Sequence, residues 1–549
     1  FFPDARLNFA ENLLRRRDDA IAMIYATEEG TRRTLRFREV YEQVGRLQRA
    51  MRAAGVRTGD RVAAYLPNLP ETIRIMLAAS SLGAVFSSSS PDFGVDGVLD
   101  RFGQIEPVLF FASDGYIYGG KRIETLSKAK EIHQRLGLEH PPIVVPNLDS
   151  PPSKEALEGA VLFEAFANSA PEEPNGTPLR FERLPFNHPL YILYSSGTTG
   201  KPKCIVHGQG GTLLQHLKEH RLHTRIGPLD RFFYFTTCGW MMWNWLVSGL
   251  ASEATLILFD GNPLANDGKV LFELAERESI AIFGTSAKFI DAVHKGGIVP
   301  KDIADLSSIR TILSTGSPLS PESFDFVYDA FGKDIHLASI SGGTDIVSCF
   351  VLGDPTLPVY RGEIQCAGLG MDVQIYSDEG KRIVGEQGEL VCASPFPSMP
   401  IGFFGDDGNR SRYRAAYFER FKGVWCHGDF TMETERGGFI ITGRSDAILN
   451  PGGVRIGTAE IYNQCERIPE ILESVVIGQP YRGDVRVVLF VVLREGIELT
   501  DELQKKIRDT IRANTSPRHV PAKIVEVPEI PRTRSGKISE LTVRDLVIG

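Results

Sequence analysis

A short segment between residues 191 and 203 combines small hydroxyl residues, glycines and lysines in a pattern that could bind phosphate. An apolar stretch ends at Tyr194 and is followed by Ser195, Ser196, Gly197, Thr198, Thr199, Gly200, Lys201, Pro202 and Lys203. Glycines let the backbone approach an anion closely, and backbone N–H groups and hydroxyls can donate to its oxygens. Lysine adds a positive point charge. The segment therefore predicts a loop that binds a polyphosphate.

The spacing within this loop argues against two common nucleotide-binding motifs. Two residues separate Gly197 from Gly200, and Pro202 follows Lys201. A P-loop NTPase needs four residues between the glycines and a Ser or Thr after the lysine. Leu213 stands where a dinucleotide-binding fingerprint would need its third glycine. We therefore expect neither a P-loop NTPase nor a Rossmann dehydrogenase.

The loop resembles the phosphate loop of the adenylate-forming enzymes, which include acyl-CoA synthetases, nonribosomal adenylation domains and luciferases. Four further segments match that family in its order along the chain: 341–345 (SGGTD), 425–429 (WCHGD), 443–446 (GRSD) and 531–537 (PRTRSGK). One such match alone is weak, but five in order identify the family. The resemblance implies an enzyme that uses ATP, Mg²⁺ and coenzyme A.

The resemblance also implies roles for individual residues. Lys537 and Thr344 are expected to be catalytic, and Asp345 to bind Mg²⁺. Asp446 is the expected hinge between two domains, and Gly453 is expected beside CoA. The nucleotide-binding residues that it implies are Ser195, Ser196, Gly197, Thr198, Thr199, Gly200, Lys201, Lys203, Gly316, Ser317, Pro318, Gly343, Thr344, Asp429, Arg444 and Arg455.

These roles suit the activation of a carboxylate by ATP. Negative charge develops on the α-phosphoryl group as the acid attacks, and a metal and a cation aimed at the phosphate stabilise it. Asp345 is a hard oxygen ligand for Mg²⁺, and Lys537 would neutralise charge between the carboxylate and the phosphate. Asp429 can accept hydrogen bonds from two ribose hydroxyls. On composition alone, Lys537 is typical of a solvated basic tail and Asp429 of a turn, so both roles depend on the resemblance.

A second motif in the chain has the pattern of a zinc site. His216, Glu219 and His220 match the H-x-x-E-H arrangement of some metalloproteases, and the two histidines would share a helical face. The surrounding residues are spaced as in an ordinary amphipathic helix, and they include Leu213, Leu214 and Leu217. We therefore expect a structural helix after the phosphate loop and no zinc chemistry.

The identity of the acid is indicated by the start of the chain and by the segment around residue 342. Residues 2–12 (FPDARLNFAEN) resemble the acetate-type synthetases, and the acetoacetyl-CoA synthetases in particular. Acetate-specific members close the acyl pocket with a tryptophan two residues before the magnesium-site threonine, where this chain has Gly342. The resemblance therefore predicts a deeper pocket and acetoacetate as the acid. The expected substrate-binding residues are Trp240, Met241, Ser341 and Gly342.

Several points remain open from the sequence. Acetate, propionate or butyrate are alternative acids, and loading of a carrier protein is an alternative to free CoA. A non-catalytic nucleotide-binding protein is a third reading, which the intact set of motif residues disfavours. No residue can be assigned to the keto oxygen of acetoacetate, and the residues considered are Cys238, Asn244, Ser339 and Ser341. A lysine acetyltransferase acting on Lys537 is an expected partner.

The pattern of apolar runs predicts an α/β protein. Strands and helices alternate at 62–66, 71–82, 85–87, 98–105 and 108–111, which is typical of parallel sheets. Residues 149–178 are polar and are expected to form a long surface excursion. We predict a large N-terminal domain, residues 1–445, of parallel-sheet α/β subdomains plus a β-barrel-like subdomain. A small, mobile α+β C-terminal domain is predicted at 446–549.

Composition limits the classes of partner and the compartment. The 549 residues carry a formal net charge of −8, which is the wrong sign for a general nucleic-acid binder or for an anionic membrane surface. The seven cysteines are odd in number and show no C-x-x-C pair, which favours a reducing compartment and a cytoplasmic location. The apolar stretch 240–259 contains Asn244, Ser248 and Glu253, and is therefore expected to be core and not a membrane span.

Overall fold

Two mainly parallel sheets form the N-terminal part of the protein. The structure, a computed structural model, describes residues 1–149, 152–153, 155–171, 179–195, 202–445, 447, 449, 451, 456–481, 484–515, 517–532 and 540–548. The first sheet has eight strands, in the order Val161–Leu162, Ile143–Val145, Leu109–Ser113, Arg61–Tyr65, Val85–Ser89, Pro189–Ser195, Lys203–Gly208 and Gly402–Phe403. Its first six strands are parallel and the last two are antiparallel.

The second sheet has seven strands and repeats the same pattern. Its order is His336–Ser339, Thr311–Thr315, Ile282–Ser286, Arg231–Tyr234, Thr255–Asp260, Ile21–Thr27 and Arg32–Arg36, with only the last pair antiparallel. Strands buried on both faces need near-continuous apolar runs, and the inner strands have them, whereas the edge strand Arg32–Arg36 is mostly exposed. The main helices of this part are Phe9–Leu13, Phe37–Ala53, Pro70–Ser81, Val95–Phe102, Leu126–Leu136, Phe163–Ala167, Gln209–Lys218, Met241–Val247, Val270–Arg277, Ala287–Lys295, Pro300–Ile303 and Pro321–Ala330.

Two small antiparallel sheets follow and share one hydrophobic core. One has the strands Ser341–Gly343, Ser348–Leu352 and Cys366–Ala367. The other has the strands Val373–Tyr376, Gln387–Cys392, Trp425–Glu433 and Phe439–Arg444. Phe350, Ile375 and Trp425 meet in the shared core, and the helix Ser411–Phe418 packs against it. This region corresponds to the predicted β-barrel-like subdomain.

The last hundred residues form a small α+β unit. Its sheet has the strands Ile471–Tyr481, Asp484–Leu493 and Lys523–Glu526, and its helices are Thr458–Cys465, Asp501–Asn514 and Glu540–Ile548. Ile461, Leu489 and Ile507 lie in a core of its own. The predicted α/β class with a small C-terminal α+β unit is confirmed. The exact boundary at residue 446 stays a prediction, since residue 446 lies outside the described part of the chain.

Two expectations about polar or apolar stretches can be compared with the structure. Residues 240–259 are core, as predicted: Trp243, Trp245 and Leu258 are at most 1% exposed. The excursion predicted at 149–178 is wrong in part, because Val161–Leu162 joins the edge of the first sheet beside Ile143–Val145. Phe163 then buries its ring in the core, which anchors this segment. Among the described residues, no helix has both the length and the apolarity needed to cross a membrane.

Candidate active site

A cleft of about 2030 Å³ lies at the carboxyl ends of strands from both large sheets. Ser195, Thr315 and Ser339 end three of these strands and line the cleft. Ligands of open α/β sheets bind at this edge, because loops from several strands converge there. Residues of the C-terminal unit, among them Tyr462 and Arg532, line the opposite side. The cleft is therefore built by both parts of the chain.

The hairpin 341–352 brings Thr344 and Asp345 into the cleft. Strand Ser341–Gly343 pairs antiparallel with Ser348–Leu352, and the turn between them is closed by the Val347 N–H donating to the Thr344 carbonyl at 3.3 Å. Because the turn is tight, the side chains of residues 344 and 345 project from the end of the hairpin into the cleft.

Asp345 lies among groups that favour its ionised form. The Nζ atom of Lys203 is 3.6 Å from its Oδ1, and the Tyr417 hydroxyl donates to the same oxygen. Burial alone would raise the pKa of Asp345, but Lys203, Tyr417 and the more distant His427 and Arg444 outweigh burial and lower that pKa. An ionised carboxylate that is still 20% exposed to the cleft is a suitable hard ligand for Mg²⁺.

Tyr417 is a site residue that the sequence did not reveal. Its ring stacks on Trp425 with centroids 3.8 Å apart and an interplanar angle of 13°. The Lys203 ammonium lies 5.4 Å from the centroid of the same ring, within cation–π range. Tyr417 thus holds both Lys203 and Asp345 in place. Its position comes from tertiary packing of the helix Ser411–Phe418, for which no local motif exists.

Asp429 is held between Arg444, on the neighbouring strand, and His427, two residues earlier on its own strand. Its Oδ1 accepts from Nη1 of Arg444 at 3.1 Å, and its Oδ2 lies 3.6 Å from Nε2 of His427. The strand register pairs Asp429 with Arg444 directly. Gly428 has φ +85°, and a Cβ there would lie 2.7 Å from Nη2 of Arg444, so this position favours glycine. The arrangement presents a fixed carboxylate to the cleft.

The structure corrects the expected shape of the acyl pocket at Gly342. A Cβ on Gly342 would collide with the carbonyl oxygen of Ser348 and lie 2.6 Å from Cα of Cys349. The space beyond Gly342 is therefore filled by the neighbouring strand and is not a void for the acid. Gly342 still lines the cleft with its backbone, but a tryptophan there would displace that strand. The prediction that the missing tryptophan ring makes the pocket deeper is therefore wrong at this position.

Glu389 is a second residue that sequence reasoning missed. Its carboxylate is 1% exposed and accepts from the Gly428 N–H at 2.8 Å and from the Ser445 hydroxyl at 2.9 Å. The Cys426 thiol also donates to it at 3.3 Å, and Arg420 pairs with it. Glu389 thereby fixes the strand that carries Asp429 and the residue before the predicted hinge. The only signal in the sequence is its place after the glycine-bounded turn 385–388.

We predict that Glu389→Leu raises the KM for ATP by roughly tenfold and lowers the Tm. The backbone N–H of Gly428 and the hydroxyl of Ser445 would lose a charged acceptor, and each such loss costs about 1–3 kcal/mol. Glu386→Gln, an exposed change on the adjoining turn, is the matched control and should alter neither quantity. Steady-state kinetics with varied ATP, together with thermal unfolding, measure both. An unchanged KM in the leucine variant would contradict the positioning role.

Most predicted site residues of the described chain meet in this one cleft. The residues that line it are Ser195, Lys203, Gly316, Ser317, Pro318, Ser341, Gly342, Gly343, Thr344, Asp345, Asp429 and Arg444. Trp240 borders it, since a Cβ on Gly316 would lie 3.8 Å from the Trp240 ring. Met241 is 6% exposed and packs in the core, so its contact with substrate stays a prediction. The residues outside the described part are Ser196, Gly197, Thr198, Thr199, Gly200, Lys201, Asp446, Gly453, Arg455 and Lys537.

The H-x-x-E-H residues serve packing, as expected. His216 makes hydrogen bonds at 2.7 Å with Ser248 Oγ and at 2.6 Å with the carbonyl of Val347. Glu219 is fully buried and accepts from the indole N–H of Trp245 at 2.7 Å. The ring of His220 packs edge-on against Trp245, with centroids 4.2 Å apart. This network ties the helix after the phosphate loop to the back of the hairpin that carries Thr344.

Comparisons with known proteins agree with this geometry. Residues 9–400 match the model of the AMP-binding enzyme family, and residues 460–537 match the AMP-binding enzyme C-terminal domain. The chain is 59% identical to an acetoacetyl-coenzyme A synthetase of Rhizobium meliloti (strain 1021) over 551 residues, covering 100% of this chain and 84% of that protein. It is 45% identical to the acetoacetyl-CoA synthetase of Gallus gallus over 555 residues, covering 100% and 83%.

Solved structures show the same likeness. An acetoacetyl-CoA synthetase from Streptomyces lividans superposes with a TM-score of 0.92 at 45% identity, covering 100% of this chain and 83% of that one. An anthranilate CoA ligase in complex with anthranoyl-AMP superposes with a TM-score of 0.83 at 20% identity, covering 98% and 97%, and supports the fold alone.

The chain belongs to the AMP-binding enzyme family, the adenylate-forming enzymes that its phosphate loop indicated. The predicted family and the predicted class of AMP-forming acid–CoA ligase are confirmed. Within that family it is similar along its whole length to acetoacetyl-CoA synthetases.

Proposed function

We propose that this protein is an AMP-forming acetoacetate–CoA ligase. The observation that carries the proposal is the 59% identity to an acetoacetyl-CoA synthetase over the whole chain, together with a cleft that gathers the matching motif residues. In the first half-reaction, a carboxylate oxygen of acetoacetate attacks the α-phosphorus of ATP and pyrophosphate leaves. In the second, the CoA thiol attacks the acyl carbon, loses its proton, and AMP leaves.

The described residues divide the work of the first half-reaction. Asp429 accepts from the ribose hydroxyls, and Arg444 and His427 hold its carboxylate in position. Thr344 donates to the α-phosphate from the end of the hairpin. Asp345 would hold Mg²⁺, which, when bound, neutralises charge on the phosphates. The phosphate loop ends at Lys203, whose ammonium faces Asp345 at 3.6 Å and adds positive charge beside the metal position.

The second half-reaction requires the C-terminal unit to change its orientation. We infer that Asp446 is the hinge, that Lys537 serves the first half-reaction, and that Gly453 and Arg455 approach CoA and the phosphates. Glu389 supports this arrangement, because it holds Ser445 immediately before the hinge.

All seven cysteines are free thiols, which supports a reducing compartment such as the cytoplasm.

Glu466 lies at the contact between the two units. We predict that its titration changes how stably the two units dock. Glu466 faces Asp291, Glu322, Lys295 and Ser320 of the N-terminal part, and burial followed by the charge of Asp291 raises its pKa to about 7. Because the docked state binds more protons, Glu466 favours docking at low pH, and its contribution is lost as pH rises from about 4.5 through 7.

We therefore expect energy transfer between dyes on the two units to fall as pH rises from about 5 to 7, with Glu466→Gln removing most of the change. The amide keeps the size and polarity of the side chain but cannot ionise. Glu498→Gln, an exposed change in the same unit, is the control and should leave the pH dependence intact. A pH response that persists in the Glu466 variant would assign it to other groups.

The proposed function is tested by product analysis with purified protein, ATP, Mg²⁺, CoA and a panel of short acids. We expect AMP and acetoacetyl-CoA to form, with acetoacetate preferred over acetate, propionate and butyrate, and without any carrier protein. Formation of ADP would contradict the adenylate-forming mechanism. Preference for another acid would contradict the assignment of acetoacetate, and transfer only to a carrier protein would contradict the CoA ligase.

A further inference from the structure

Asn244 carries a buried amide in the helix Met241–Val247, one turn after Trp240, which borders the cleft. The residue is 2% exposed, and neither its Nδ2 nor its Oδ1 has a partner among the described residues. Burying a polar group unpaired costs about 1–3 kcal/mol, and native proteins rarely leave a whole side-chain amide in that state. A bound substrate that supplies the missing hydrogen bond would explain why this amide is buried without a partner.

The helix that carries Asn244 begins at the cleft. Gly239 lines the cleft and Trp240 borders it, and the helix Met241–Val247 follows directly. Side chains in a helix point back towards its N-terminus, so Asn244 is directed towards the turn formed by Trp240 and Met241. Residues three and four apart share a face, which places Asn244 on the face of Trp240, Met241 and Ser248.

Contacts on this face connect Asn244 to the hairpin at the catalytic end of the cleft. The Ser248 hydroxyl, on the same face, donates to the backbone carbonyl of Asn244 at 3.1 Å and contacts His216 Nδ1 at 2.7 Å. His216 in turn reaches the carbonyl of Val347, one turn after Thr344. The Asn244 face of the helix is therefore packed towards the hairpin that carries Thr344.

The other polar residues of this helix are already engaged elsewhere. Trp243 donates its indole N–H to Asn68 at 3.0 Å, and Trp245 donates to Glu219 at 2.7 Å. The thiol of Cys238, before the helix, donates to the carbonyl of Pro67 at 3.1 Å. Since the space beyond Gly342 is occupied by the neighbouring strand, an acid longer than acetate must extend in another direction.

We propose that Asn244 is a substrate-specificity residue whose amide N–H donates to the 3-oxo oxygen of the bound acid. This proposal rests on the proposed function. The oxo carbon of acetoacetate lies two bonds beyond the carboxyl carbon, whose oxygen forms the bond to the α-phosphorus, so the oxo oxygen can reach a donor in the acyl-pocket wall. A site built to bond a substrate oxygen rejects an analogue that lacks it, because the buried amide then stays unpaired.

The test compares acetoacetate with butyrate, which has the same carbon chain without the oxo group. Acid-dependent ATP–pyrophosphate exchange is measured for wild type, Asn244→Leu and Asn187→Leu. Leucine is close to asparagine in size and removes the amide. We expect the ratio of kcat/KM for acetoacetate to that for butyrate to fall roughly tenfold to a hundredfold in Asn244→Leu. Asn187→Leu, the same substitution at an exposed position away from the cleft, should leave the ratio within about twofold of wild type.

Thermal unfolding provides the readout that separates binding from structure. If the amide has no partner in the free protein, Asn244→Leu should keep or raise the Tm, since it removes an unpaired buried group. A lowered Tm with an unchanged acid ratio would assign the amide a structural role and overturn the proposal. Equal loss with both acids, or an equal fall of the ratio in Asn187→Leu, would overturn it as well. Wild type that activates butyrate but not acetoacetate would instead refute the proposed function.

Discussion

Lys537→Ala is expected to abolish formation of the acyl adenylate while leaving conversion of supplied acyl adenylate to the thioester largely intact. In the proposed mechanism, the lysine charge stabilises the α-phosphoryl group as the acid attacks, and rotation of the C-terminal unit then removes the lysine from the site. Loss of such a group costs roughly 100-fold to 1000-fold in kcat. ATP–pyrophosphate exchange measures the first half-reaction, and CoA-dependent consumption of synthetic acetoacetyl-AMP measures the second.

The matched control for this variant is Lys523→Ala, which removes an exposed lysine from a strand of the same unit. It should leave both half-reactions unchanged. Acetylation of Lys537 removes the same charge and should inhibit in the same half-specific way. Equal loss of both half-reactions in Lys537→Ala would contradict the alternation of the two units.

Asp429→Ala is expected to raise the KM for ATP by roughly 100-fold or more, because the two hydrogen bonds that we propose between the ribose hydroxyls and the Asp429 carboxylate would be lost. Arg444 and His427 would also lose the carboxylate that they hold at 3.1 Å and 3.6 Å. The change should be specific for the ribose. Wild type should therefore discriminate strongly against 2′,3′-dideoxy-ATP, whereas Asp429→Ala should use it about as well as ATP.

Asp429→Asn serves as the graded comparison for this prediction. The amide keeps one oxygen acceptor but loses the charge, so its KM for ATP should lie between those of wild type and Asp429→Ala. Discrimination against dideoxy-ATP that persists in the alanine variant would show that another group binds the ribose.

The parts of the fold that follow from local patterns could be predicted from the sequence. The helix expected at 71–82 is Pro70–Ser81, and the strand expected at 62–66 is Arg61–Tyr65. Both depend on apolar periodicity, which neighbouring residues determine. The edge strand Val161–Leu162 was not predicted, because two residues carry no period and gain their place only by pairing with Ile143–Val145.

The site shows the same division between local and tertiary information. Thr344, Asp345 and Asp429 stand in contiguous motifs and were found, whereas Glu389 and Tyr417 act from elements distant in the chain. Glu389 reaches Gly428 across 39 positions, and Tyr417 reaches Asp345 across 72. Gly342 was correctly noted as lacking a ring, but only the structure shows that a neighbouring strand occupies the space.

Acetoacetate-dependent exchange of labelled pyrophosphate into ATP, in the absence of CoA, is the most direct test of the proposed acetoacetyl-adenylate intermediate. The proposed mechanism forms a reversible acyl adenylate before CoA is needed. We therefore predict rapid exchange that requires acetoacetate and Mg²⁺ and that is lost in Lys537→Ala. Exchange that occurs only with CoA present, or without any acid, would contradict an acetoacetyl-adenylate as the first product of this enzyme.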